Sequence, residues 1–93
     1  MYKINKIISV IPYSIVCEFD TGIKKKLEIL PLLERHSHLN GIEKLKDKTT
    51  FEKVGIGEMG EIFWKNIIIT NSNKKWNYDI SPEYIFYNGK TVE

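Results

Sequence analysis

Two reactive side-chain types are nearly missing from this sequence, which has one cysteine, Cys17, and one arginine, Arg35. A single cysteine excludes an internal disulfide and any cysteine-based metal cluster. Cys17 lies within the apolar alternation Tyr13-Ser14-Ile15-Val16-Cys17-Glu18-Phe19, where a small buried hydrophobe is expected rather than a reactive thiol. The scarcity of arginine weighs against an RNA-cleaving or DNA-reading role, because the guanidinium is the group best suited to bidentate phosphate or guanine contacts. Histidine is scarce too: His36 and His38 stand alone. A catalytic zinc needs three protein ligands and an open position, so no metal site is expected.

Longer patterns are also absent. No run of about 18 apolar residues occurs, which excludes a spanning helix. The N-terminal residues Met1-Tyr2-Lys3-Ile4-Asn5-Lys6 lead into a short apolar stretch broken by Ser9 and Pro12, and this predicts no signal peptide. A cytoplasmic protein is expected. Gly55-Ile56-Gly57 and Gly60 are not followed by the helix and Lys-Ser/Thr start that a phosphate loop requires. Neither a Gly-x-Ser-x-Gly elbow nor a cysteine–histidine pairing is present. These gaps predict a chain that is not an enzyme and carries no cofactor.

What is present suffices for a core. Hydrophobic residues at 42% and aromatics at 12% argue against disorder, and 93 residues make one domain over residues 1–93. A net charge of +2 lacks the clustered excess of a nucleic-acid surface. Ile, Lys and Asn fill 35 of 93 positions, a bias expected of an AT-rich genome, so individual lysines carry little meaning.

Periodicity predicts strands first. Ile4, Ile8 and Val10 alternate with polar neighbours up to Pro12, and Tyr13, Ile15, Cys17 and Phe19 form the apolar face of a second strand. Asp20-Thr21-Gly22 supplies the turn into a third strand over residues 23–29, in which Lys24, Lys25 and Lys26 point to opposite faces. Pro31 opens a short helix through Arg35. Residues 36–47 show no clear period and predict loop, with Asp47 as the N-cap of a short helix carrying Phe51. A hairpin is expected near Glu58-Met59-Gly60, then a strand over residues 61–70, a turn at Asn71–Lys74, and a strand with Trp76, Tyr78 and Ile80 on one face. Ser81-Pro82-Glu83 starts a last helix that stops at Asn88-Gly89. The fold class is therefore α+β: two layers, an antiparallel sheet of five to six strands built from hairpins, and two or three short helices.

One segment does not fit a half-solvated sheet. Residues 61–70 are apolar on both faces, which predicts either an exposed apolar surface or a second face covered by the last helix. Ile67, Ile69, Trp76 and Tyr78 are the candidate partner interface.

The order of elements resembles a bacterial domain-of-unknown-function family, number 2442. The resemblance rests on Phe19-Asp20-x-Gly22, Leu27-x-Ile29-x-Pro31-Leu32-Leu33, Leu45-Lys46-Asp47 with Phe51 and Val54, Gly60-x-Ile62-x-Trp64, and Asp79-Ile80-Ser81-Pro82-Glu83-x-Ile85. It spans nearly the whole chain and departs from the family pattern between Trp64 and Asp79, where residues 67–78 extend the hairpin. It implies a small α+β domain without assigned catalytic residues. Members are often found beside a second small protein in a toxin–antitoxin-like arrangement.

Three functions remain to be weighed. The first is a protein-binding module, antitoxin-like, that pairs with a small toxin-like protein or with its own copy through a sheet edge and the 61–80 hairpin. The second is a nucleic-acid-binding domain using lysines and aromatics, with a steep salt dependence. The third, a small ribonuclease-type enzyme, is disfavoured because Arg35, His36 and His38 lie in one segment.

Overall fold

The computed structural model covers residues 1–93. In chain order the elements are β1 (Ile4–Ile11), β2 (Ser14–Phe19), β3 (Lys24–Glu28), α1 (Leu30–Arg35), a 3-10 helix (Ile42–Lys46) and α2 (Lys48–Phe51). There follow β4 (Gly55–Ile56), β5 (Ile62–Ile69), β6 (Lys75–Ile80), α3 (Pro82–Asn88) and β7 (Lys90–Val92). The α+β class agrees with the sequence reading. The strands, however, divide between two antiparallel sheets, one in the order β1-β2-β3-β7 and one in the order β4-β5-β6, instead of forming one sheet of five to six.

A single cluster of 17 buried residues draws on both sheets. Ile15, Cys17, Phe19 and Leu27 come from the first, and Ile62, Trp64, Ile67, Tyr78 and Ile80 from the second, with Leu32, Leu33, Phe51 and Ile85 supplied by the helices. The indole of Trp64 is fully buried, and its Nε1–H donates to the Phe51 carbonyl at 2.8 Å. That bond satisfies the one polar group the largest core side chain brings inside.

Two strands depart from simple alternation, and both do so through bulges. β1 pairs with β2 with register shifts between Ile4 and Lys6 and between Ile7 and Ser9. Each extra residue reverses the facing of the residues beyond it. Ile4, Ile7 and Val10 therefore turn toward the core, while Ile8, which simple alternation places inside, is 42% exposed.

Local chemistry sets the helix starts as expected. The Asp47 carboxylate accepts from the Thr50 backbone N–H at 3.0 Å, and Ser81 Oγ accepts from that of Tyr84 at 3.1 Å, each satisfying a donor that the first turn leaves free. The 3-10 helix at Ile42–Lys46 falls in the segment expected to be loop; Ile42 and Leu45, three apart, both reach the core. That spacing suits three residues per turn and is too short to register as a period.

β7 has no signal in the sequence, since Lys90-Thr91-Val92 carries no apolar alternation. It exists because Gly89 brings the end of α3 against β3: a Cβ at this position would meet the Ile85 carbonyl oxygen at 2.7 Å and that of Lys26 at 3.1 Å. The chain then pairs with β3, placing Lys24, Lys25 and Lys26 opposite Val92, Thr91 and Lys90.

Candidate functional site

The β5–β6 hairpin holds all four residues expected at an interface, and it separates them. Ile67 and Tyr78 are 4% and 5% exposed, members of the core and closed to a partner. Ile69 is half-buried, and its N–H donates to the Asn40 carbonyl at 2.9 Å. Trp76 alone is open, 63% exposed. The expectation of an interface built on Ile67 and Tyr78 is thus corrected, and the reason lies in the register of the hairpin.

Trp64 pairs with Tyr78 and Ile68 with Trp76, so Lys65, Asn66 and Ile67 face the single residue Asn77. Asn66 takes a positive φ of 56°, and its N–H donates to Asn77 Oδ1 at 3.1 Å. With two extra residues, the bulge leaves Ile68 on the same face as Trp64 and interrupts the alternation only between them. Ile62 and Trp64 point inward before it, and Ile67 points inward within it. The strand looks apolar on both faces in sequence because Ile67, out of alternation with Ile62 and Trp64, reaches the core from the bulge. The last helix does not cover a second face; α3 packs on β3, with Phe86 stacked on Tyr2 at 4.0 Å and edge-on to Phe19 at 5.5 Å.

Tyr78 is anchored from two directions. Its ring stacks on Trp64 with centroids 6.0 Å apart, and its hydroxyl lies 2.6 Å from His36 Nδ1. Burial first, then the neighbouring Tyr84 and Asp79, push the phenol up to about 12. His36 is thereby turned toward the core, with the exposed His38 ring 6.2 Å away by centroids. Cys17 is fully buried, and burial pushes its thiol up to about 12, so it stays protonated at neutral pH.

Beyond the bulge the hairpin is open to solvent. Residues 71–77 are all exposed, and β6 forms the edge of its sheet, bonded to β5 alone. Trp76 stands on that edge between Lys75 and Asn77, with Lys74 preceding. A tryptophan so placed offers a large apolar ring beside unpaired backbone groups.

A second feature has no signal in the sequence. Between β3, α1, α3 and β7 lies a cleft of about 500 Å³, whose charged lining residues are Lys26, Arg35, Lys90 and Glu28. Leu27, Pro31 and Tyr84 supply its apolar wall. Lys26 and Lys90 are far apart in the chain, and only the pairing of β7 with β3 brings them together. A smaller recess of about 220 Å³ shares Arg35 and Tyr84 with this cleft and continues to His36 and Ser81.

No family model, curated protein or solved structure matches the chain.

Proposed function

We propose that this chain is a protein-binding module, acting in the cytoplasm, that takes an extended segment of another protein onto the β6 edge of its hairpin. The observation that carries the reading is Trp76, 63% exposed on an unpaired edge strand. Added strands gain affinity from main-chain hydrogen bonds and specificity from side chains at alternate positions. A tryptophan at such an edge supplies the anchor that dominates small interfaces, where truncation of a central aromatic commonly costs about 2 kcal/mol or more. The resemblance to family 2442 supports an antitoxin-like role, with a small toxin-like protein as the partner. A second copy of the chain offers the same edge and is the homodimeric form of the same reading.

The test is capture of the tagged protein from nuclease-treated native extract, repeated with Trp76→Ala and Ile69→Lys. One stoichiometric protein, or a dimer of the chain, that is lost in Trp76→Ala is the expected result. Stable monomers from wild type and variants alike would remove the hairpin as a partner surface.

The exposed sequence Lys74-Lys75-Trp76 favours a second reading, single-stranded nucleic acid stacked on Trp76 with its phosphates on the lysines. Affinity would then fall steeply with salt. Salt-independent capture of a protein separates the two.

A further inference from the structure

The four-stranded sheet carries a charge arrangement that folding does not explain. Lys26 of β3 and Lys90 of β7 are direct cross-strand partners, and like charges directly opposite each other destabilise a sheet. The adjacent pair shows the ordinary solution: Lys25 faces Thr91, donates to its Oγ1 at 2.8 Å, and lies 4.9 Å from the Phe86 ring centroid. Lys25 is thus occupied on one face of the strand. Lys26 and Lys90 open on the cleft, where they meet Arg35, the only arginine in the chain.

The charge count of that cleft is uneven. Lys26, Arg35 and Lys90 are opposed by Glu28 as the one carboxylate in the lining, which leaves an excess of two positive charges. A phosphate monoester carries about −1.5 to −2 near neutral pH, whereas a carboxylate would leave part of the excess unmatched. A volume of about 500 Å³ falls in the range of small-ligand sites. Pro31 and Tyr84 give an organic body something apolar to lie against, and the guanidinium can grip phosphate oxygens in a fork.

We propose that this cleft binds a phosphomonoester, its phosphate held by Lys26, Lys90 and Arg35 and its attached organic body set against Tyr84 and Pro31. The site shares no residue with the β5–β6 hairpin and stands independently of the partner reading. A free nucleotide and the 5′-phosphate of an oligonucleotide present the same group.

The test is a titration of the isotope-labelled protein, followed by amide chemical shifts at low ionic strength, with AMP, adenosine, inorganic phosphate, and a trinucleotide with and without its 5′-phosphate. Saturable shifts confined to Lys26, Leu27, Arg35, Tyr84, Asn88 and Lys90 are expected with AMP, weaker ones with phosphate and none with adenosine. A 5′-phosphorylated trinucleotide that binds more tightly than AMP assigns the source to a nucleic-acid end; the reverse order assigns it to a free nucleotide. Lys90→Glu should weaken AMP binding by about tenfold or more, the loss expected for a charge-assisted contact, while raising the melting temperature because Lys26 then faces a carboxylate. Lys65→Glu, on β5, should leave binding unchanged. The proposal is overturned if no ligand gives saturable shifts, or if Lys90→Glu and Lys65→Glu weaken binding equally.

Discussion

Replacing Gly41 with alanine should destabilise the protein far more than the same change at Gly22. Both glycines have positive φ, +100° at Gly41 and +91° at Gly22, so both substitutions carry the left-handed penalty of about 1–2 kcal/mol. Their surroundings differ. A Cβ at Gly22 meets nothing within 4 Å, whereas one at Gly41 would lie 2.2 Å from the Ile67 carbonyl oxygen. That oxygen is backbone on the bulged side of β5 and cannot swing away as a side chain would. The loop must retreat instead, and the nearby bond from Ile69 N–H to the Asn40 carbonyl, 2.9 Å long, is lost, adding about 1 kcal/mol. The total for Gly41→Ala is about 3 kcal/mol, and at roughly 4–8 °C per kcal/mol for a domain of this size the melting temperature should fall by about 12 °C or more. Urea denaturation of both variants, with unchanged m-values, is the assay. Equal losses at the two positions would refute the close approach of the Asn40–Gly41 turn to Ile67.

The packing carries three further expected outcomes. Stability should decline as pH rises above about 9, because Cys17 and Tyr78 have folded values raised to about 12 from 9.0 and 10.0. Their contribution is complete below the unfolded values and is lost through the folded ones, with a slope of about 1.4 kcal/mol per pH unit for each proton the unfolded state releases; Cys17→Ala and Tyr78→Phe should each flatten the curve measured by denaturation across that range. Trp64→Phe leaves the Phe51 carbonyl without its 2.8 Å donor and opens space in the core, a loss of about 2–4 kcal/mol in urea denaturation. Ser81→Ala removes the cap of α3 and should cost about 1 kcal/mol in the same assay.

The parts of this fold that obey local rules are legible in the sequence. Asp47 and Ser81 mark helix starts through their own side-chain chemistry, and Ile15, Cys17 and Phe19 alternate inward because β2 pairs regularly with β3. The departures share one cause. A bulge interrupts alternation without altering composition: the single-residue bulges of β1 turn Ile8 outward, and the wider bulge of β5 brings Ile67 inward, so residues 61–70 look apolar on both faces. Asn66, a residue type tolerant of positive φ, is the one local hint of the β5 bulge. Of the four candidate interface residues, Trp76 lies open at the surface, Ile69 is half-buried, and Ile67 and Tyr78 belong to the core. The basic cleft is not legible in the sequence, since it depends on β7, three residues whose pairing comes from the Gly89 approach and not from their own pattern.

Amide hydrogen exchange, compared between the free protein and the complex captured from native extract, tests the proposed function most directly. Strand addition at β6 predicts new protection at alternate amides of Lys75–Ile80, the N–H groups that face away from β5, together with a blue shift of the Trp76 emission as its ring leaves water. Unchanged exchange along β6, with protection appearing elsewhere or nowhere, would contradict it.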